Sequence, residues 1–241
     1  MTRSNAAPAI RGDQDPRIRD LLDTMQAEAA RGDMPIDVDV YTRVGLDPTT
    51  PVLMGAGSLD ASVGFFGRDP GRTEVEQREP FIGQGGALVR HGIHRALFGE
   101  NAPDAEARQA VGQHFFWANT VPYKPVGNKA WSVKVKRRFV PFVRTLLADR
   151  WTGTDLITFG NVAFDWFRLA FPEQKTAIRT FWAREDRYEA TFSLDLGTRV
   201  LRIRPLPHPS PLNATWYRKI PGMVDQRLAE AGVDATWPRG T

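Results

Sequence analysis

The chain has 241 residues, and its 32 basic and 28 acidic side chains give a formal charge of +4, too small alone to indicate a nucleic-acid partner. Its 41% hydrophobic and 25% charged residues are typical of a globular chain that can form one α/β domain with a full core. The absence of cysteine excludes disulfides, thiolate nucleophiles and cysteine-ligated zinc or iron–sulfur clusters. No apolar run approaches the roughly 18–20 residues of a membrane span, and the N-terminus lacks the apolar core of a signal peptide. We therefore expect a cytoplasmic protein without a membrane partner.

The N-terminal part of the chain predicts a tail followed by a helix. Residues 1–16 mix proline, glycine and charged residues without periodicity, which indicates a loose tail before a domain at 17–241. Apolar residues then recur at helical spacing from about Pro16 to Arg31. Residues 33–60 look irregular.

The rest of the chain alternates predicted strands and helices. Short apolar runs that stop at turn-forming residues predict buried strands at 61–67, 114–119 and 155–160, and a hairpin at 188–206. Residues 72–80 look like a polar loop. Helices are predicted from Gly85 or Gly86 onward and over about 133–150, 161–171 and 217–231, with Pro141 kinking the second or marking its start.

This alternation predicts a single three-layer α/β/α domain with a central, mainly parallel four-stranded sheet. Parallel strands end at one edge of a sheet, where ligand sites form. We therefore expect the loops at 67–86, 119–131 and 207–216 to contribute the site.

Two polar side chains follow predicted strands directly. Asp69, in Gly67-Arg-Asp-Pro-Gly71, could position a water molecule and oppose positive charge developing on a sugar ring, or it could simply cap a turn. His208, in a His-Pro-Ser-Pro segment, could donate a hydrogen bond to a carbonyl or a developing anion. Its alternative is a buried histidine that bonds to the backbone.

Asn119 and Phe81 are suited to a planar ligand. Asn119 ends a strand, so its amide could present a donor and an acceptor to the edge of a base, or it could cap a turn. Phe81 lies in a glycine-rich loop, where it could stack on a base or anchor the loop to the core.

Basic residues cluster in a stretch without acids between His114 and Arg138. With Trp131 among them, they resemble a footprint for backbone phosphates, although a solvated helix face is the alternative. The cluster comprises Lys124, Lys129, Lys134, Lys136, Arg137 and Arg138. No metal-ligand spacing, phosphate-binding loop or G-x-S-x-G motif is present, so we predict no metal site and no cofactor.

Five segments, in order over about residues 50–230, resemble motifs of the uracil-DNA glycosylase superfamily. The likeness is closest to the branch that normally carries a 4Fe–4S cluster. The segments are Gly67–Gly71 (for G-E-A-P-G), Pro80–Gly86 (P-F-V-G-x-A-G), Asn119–Asn128 (N-V-V-K-C-R-P-P-G-N), Leu156–Ala163 (L-G-x-x-A) and His208–Leu212 (the H-P-S loop).

The resemblance implies a monofunctional repair enzyme that flips uracil out of DNA and hydrolyses its N-glycosidic bond. Phe81 would stack on uracil, Asn119 would bind its O4/N3 edge, and His208 would hydrogen-bond O2. Asp69 would orient the attacking water. The same resemblance implies that Gly67, Pro70 and Gly71 line the uracil pocket, that Leu212 fills the vacated stack, and that Ser210, Lys124, Lys129, Lys134 and Arg137 hold phosphates. The expected protein is a nucleoid-associated monomer that binds uracil-containing DNA.

Departures from that branch are informative. Tyr123 stands where a cluster cysteine would be, so aromatic packing by Trp117, Trp131, Phe139 and Phe142 is expected to replace the cluster. Asp69 matches the G-Q-D-P-Y-H motif of another branch, while Arg68 occupies the position of the acid in G-E-A-P-G. Gly71 replaces the tyrosine that excludes the thymine methyl group in that other branch. No K-R-R-I-H-like insert lies before Phe81, which argues against covalent-trapping relatives.

Three alternatives remain open from the sequence. Gly71 leaves room for a glycosylase acting on another deaminated base, such as hypoxanthine or xanthine. A non-catalytic DNA- or nucleotide-binding module would bind in a salt-sensitive way without releasing a base. A small-molecule hydrolase of α/β type would not bind nucleic acid.

Overall fold

The structure is a computed structural model that describes residues 11–237. In chain order these residues form α1 (Arg19–Ala29), α2 (Val38–Thr42), β1 (Val63–Gly67), α3 (Arg72–Gln77), α4 (Gln84–Phe98), α5 (Ala105–Ala110), β2 (Phe116–Asn119), α6 (Val133–Thr145), β3 (Asp155–Phe159), α7 (Gly160–Ala170), α8 (Lys175–Trp182), β4 (Phe192–Asp195), β5 (Val200–Leu206), α9 (Ala214–Tyr217) and α10 (Ile220–Glu230). None of these helices is long and apolar enough to cross a membrane.

The strands form one sheet in the order β2-β1-β3-β5-β4. The first four are parallel, which confirms the predicted α/β class and mainly parallel sheet. The prediction of four strands is wrong. The first arm of the predicted hairpin joins the edge as an antiparallel fifth strand, because alternate residues Phe192 and Leu194 of β4 are buried while β4 pairs with β5.

Helices cover both faces of this sheet. All five residues of β1 are buried, and successive side chains point to opposite faces. Phe65 belongs to a core formed with α4 and α10, whereas Phe66 belongs to a larger core with α1, α6, α7 and α8. This arrangement is consistent with a single α/β/α domain.

One local prediction needs correction, and the structure bears on two others. The predicted polar loop contains a short helix, α3, which begins after Gly71. Pro141 lies inside α6 rather than at its start, because Ser132 caps the helix through the backbone N–H of Val135. Residues 1–10 of the predicted tail lie outside the described residues, but residues 11–16 pack on the domain: Arg11 donates a 2.9 Å hydrogen bond to the carbonyl of Arg78.

Aromatic residues surround Tyr123. The Tyr123 hydroxyl donates to the carbonyl of Thr49 at 2.9 Å, and Trp131 Nε1 donates to the Tyr123 carbonyl at 2.9 Å. The rings of Tyr123 and Phe139 are 5.6 Å apart, and Phe139 contacts Phe142. Trp117 does not belong to this group, because it faces the other side of the sheet and stacks on Phe65.

Candidate active site

The carboxyl ends of the parallel strands meet at one edge of the sheet. Gly67 at the end of β1 pairs with Asn119 at the end of β2, and Phe159 at the end of β3 pairs with Leu206. The loops that follow these strands enclose a cavity of about 650 Å³. Its wall includes Asp69, Phe81, Asn119, Phe159, His208 and Leu212. The topology therefore brings together polar groups that lie more than a hundred residues apart.

Asp69 is the buried acid of this cavity. Only 1% of its side chain is exposed, and burial raises its pKa to about 6 although Arg68, Lys136 and Lys124 oppose that rise. Arg68 Nε lies 2.8 Å from Asp69 Oδ2, but no residue in 11–237 donates a well-directed hydrogen bond to either carboxylate oxygen. Both oxygens are closed off from solvent, so Asp69 is a buried acid whose hydrogen-bonding capacity is unused.

His208 faces the same cavity from the loop after β5. Desolvation and the nearby Arg68 charge lower the pKa of His208 to about 4. The residue as a whole is exposed, and its imidazole is neutral near pH 7. A neutral imidazole in this position can donate one hydrogen bond to a ligand oxygen.

Asn119 and Phe81 also contribute to the wall of the cavity. Asn119 is 3% exposed, so its amide is fixed by packing at the end of β2. The Phe81 ring is half-buried against Trp117 and Phe159, with centroids 5.2 and 5.5 Å away. A planar ligand could stack on this ring while its edge meets the Asn119 amide.

A buried ion pair that the sequence analysis did not identify holds the Phe81 loop. Arg90 and Glu79 are fully buried and 2.9 Å apart, and Arg90 also donates to the carbonyls of Pro80 and Phe81. Phe81 itself has a left-handed backbone, with φ of 53°. The sequence signal was a charged residue, Arg90, on the apolar stripe of α4.

Glu74 is a second residue that the sequence did not single out. Its carboxylate accepts hydrogen bonds from the backbone N–H of Gly71 at 3.0 Å and of Gly83 at 2.8 Å. It thereby joins the Asp69 loop to the Phe81 loop. A Cβ atom on residue 71 would lie 2.6 Å from Glu74 Oε2, so Glu74 occupies the space beside Gly71.

All of the predicted DNA-contacting residues except Lys124 are exposed or half-buried. Leu212 is 97% exposed at the rim of the cavity, and half-buried Ser210 accepts a hydrogen bond from the Leu212 N–H. Lys129, Lys134 and Arg137 are exposed.

Lys124 is placed differently from this prediction. It is buried, with Nζ 2.9 Å from Asp37 Oδ2 and 2.9 Å from the carbonyl oxygen of Pro125, so its ammonium is paired within the protein.

The remaining predicted pocket residues line the cavity. Gly67, Pro70 and Gly71 all lie in its wall. Within residues 11–237, no group of three or more His, Asp or Glu side chains could hold a metal ion.

Comparison with known proteins identifies the family of this chain. No match was found among curated proteins. A family model described as the uracil DNA glycosylase superfamily matches residues 54–232, which include every loop of the cavity. The chain therefore belongs to the uracil DNA glycosylase superfamily.

Proposed function

We propose that this protein is a monofunctional DNA glycosylase that removes uracil from DNA and leaves an abasic site. Membership of the superfamily supports glycosylase chemistry on DNA. The observation that carries the proposal is the single cavity in which Asp69, Phe81, Asn119 and His208 converge. Such a cavity accepts a base only after the nucleotide has rotated out of the helix.

The base would bind between the ring of Phe81 and the polar wall. The Asn119 amide offers one donor and one acceptor, which matches the O4/N3 edge of uracil. His208, neutral near pH 7, would donate to O2 as the departing base gains negative charge. Uracil leaves as a tolerable anion, so full protonation by an acid is not needed.

Asp69 would act on the other side of the bond. In its ionised form it would orient the attacking water and oppose the positive charge that develops on the deoxyribose. Its oxygens are buried and receive no well-directed hydrogen bond from the described residues, so their lone pairs are not already occupied.

The rim of the cavity would hold the DNA. Leu212 projects into solvent and would fill the gap that the rotated nucleotide leaves in the stack. Ser210 and the exposed Lys129, Lys134 and Arg137 would contact phosphates, whereas Lys124 is excluded by its pairing with Asp37.

The decisive experiment is alkali cleavage of single- and double-stranded oligonucleotides that carry one uracil. We expect strand breaks with the wild type, and a loss of at least about 10²-fold with Asp69→Asn, which should still bind DNA. Asn119→Asp should shift the preference toward cytosine or abolish activity. Binding without base release by the wild type would favour a non-catalytic module, and no binding would favour a small-molecule hydrolase.

A borohydride-trapping arm tests whether the enzyme is monofunctional. None of the described residues that line the cavity is a lysine, so no covalent DNA adduct should form. A trapped adduct would contradict the monofunctional mechanism.

A glycosylase for another deaminated base is the second candidate, because Gly71 places no side chain next to the base site. Glu74 fills part of that space and so favours a smaller base. Oligonucleotides with hypoxanthine, xanthine or a thymine mismatch decide between the two. Faster release of a purine than of uracil would overturn the uracil assignment.

A further inference from the structure

Arg68 has an unusual pair of contacts at the edge of the cavity. Its Nε lies 2.8 Å from Asp69 Oδ2, and its terminal Nη2 donates a 3.0 Å hydrogen bond to the carbonyl of Asn128. One guanidinium therefore bridges the loop after β1 and the loop after β2. The Arg68 side chain is 27% exposed, so most of it is packed in place.

We propose that Arg68 is a positioning residue that holds the Asp69 carboxyl group in place in the cavity wall and keeps it ionised, without using the hydrogen-bonding capacity of its oxygens. This inference rests on the proposed function and adds to it a role for a residue outside the base-binding set. Arg68 and Asp69 form an ion pair without the two directed hydrogen bonds of a bidentate arginine–carboxylate pair. Arg68 Nε and both Asp69 oxygens have no well-directed hydrogen-bond partner among the described residues.

That distinction matters for the chemistry. A bidentate arginine would occupy the carboxylate lone pairs that a water molecule needs. A close but poorly directed guanidinium supplies charge without occupying them. The Asn128 carbonyl holds the other end of Arg68, and Thr120 reinforces the junction because its backbone N–H donates to the Gly67 carbonyl at 2.9 Å.

Other charges around Asp69 are less suited to this role. Lys136 on α6 is half-buried and Lys124 after β2 is bound to Asp37, while His208 after β5 is neutral near pH 7. Burial raises the pKa of Asp69 to about 6, and Arg68 is the strongest influence opposing that rise. Without Arg68, the carboxyl group would hold its proton over more of the neutral range.

The test is a titration of Asp69 in the free protein by side-chain carboxyl NMR, together with the pH profile of the single-turnover rate. Arg68→Gln and Arg68→Met should each move the Asp69 pKa and the acid limb of the rate upward by about one pH unit or more. Arg68→Lys, which keeps the charge, should reverse most of that shift. Arg43→Gln, which removes an exposed arginine outside the cavity wall, should change neither.

An unchanged Asp69 pKa in both neutral variants would overturn the proposal, as would a rate loss that is equal at every pH. The titration needs no substrate, so it tests Arg68 even if the wild type releases no base. A wild type that is inactive on every oligonucleotide, with the Asp69 shift as expected, would count against the proposed function and not against the Arg68–Asp69 coupling.

Discussion

The ring of Phe81 lies directly over Gly67 at the end of β1, so closely that a Cβ atom on residue 67 would fall 2.4 Å from Phe81 Cζ. Real Cβ atoms do not approach another atom that closely, so the glycine makes room for the ring. The same Cβ would lie 3.1 Å from Asn119 Oδ1. Because residue 67 has no side chain, there is room next to it for both the Phe81 ring and the Asn119 amide.

Gly67→Ala should displace Phe81 and weaken substrate binding. We expect KM to rise by about tenfold, since stacking on an aromatic ring contributes about 1–3 kcal/mol per base. Gly222→Ala is the matched control, because nothing lies within 4 Å of a Cβ at that position in α10. Steady-state kinetics on a uracil-containing strand would measure both, and an unchanged KM for Gly67→Ala would show that the ring does not bind the base.

The rate of base release should increase with pH through about 6. Burial raises the pKa of Asp69 to about 6, and the ionised form is the one that orients water. Titration of His208 should not change the rate near neutral pH, because the pKa of its imidazole is lowered. Single-turnover rates from about pH 5 to about pH 8 test this. A rate that falls across this range would mean that Asp69 acts as an acid instead.

Asp69→Asn should stabilise the folded protein at neutral pH. Because the folded-state pKa lies above the ordinary value of 3.8, the native state binds the proton more tightly, and stability falls as pH rises from about 4 to about 6. Removing the charge recovers at most about 3 kcal/mol, and less if Arg68 is left unpaired. Urea unfolding of both proteins near pH 4 and pH 7 measures this, and an equal effect at both pH values would contradict it.

Leu212→Ala should separate duplex from single-stranded substrates. The side chain is 97% exposed and contributes nothing to the core, so stability should not change. Activity on duplex DNA should fall by about tenfold, because a wedge offsets the cost of unstacking, while activity on a single strand should persist. Val38→Ala, at an exposed apolar position on α2, is the control. Equal losses on both substrates would assign Leu212 to base binding.

Lys124 and Lys129 should behave differently although both belong to the basic cluster. Lys129→Gln removes an exposed charge and should lower the salt dependence of DNA binding by about one counterion. Lys124→Gln should leave that slope unchanged and instead cost about 1–3 kcal/mol of stability, because it leaves Asp37 unpaired. Binding titrations at several salt concentrations, with unfolding curves, distinguish them. A reduced slope for Lys124→Gln would show that it reaches DNA.

The sequence predicted the fold class because its signals were local. Apolar runs such as the one ending at Gly67 stop abruptly at turn-forming residues, and the intervening helices show clear periodicity. The fifth strand was harder to predict, because whether β4 joins the sheet depends on an edge partner far from its own residues. The helix α3 was missed because its six residues include a single apolar side chain, the buried Val75, which cannot show a periodic stripe.

The residues of the candidate site were likewise predictable only where the sequence signal was local. Strand ends and unusual residue types indicated Asp69, Asn119 and His208, whereas Glu74 and the Arg90–Glu79 pair act through hydrogen bonds to distant backbone groups that no local pattern shows. The sequence by itself determined the alternation of strands and helices and the residue types at the strand ends. Only the tertiary structure decided that those ends share one cavity, that Lys124 faces inward, and that Arg68 lies against Asp69, because burial and charge pairing depend on which segments pack together.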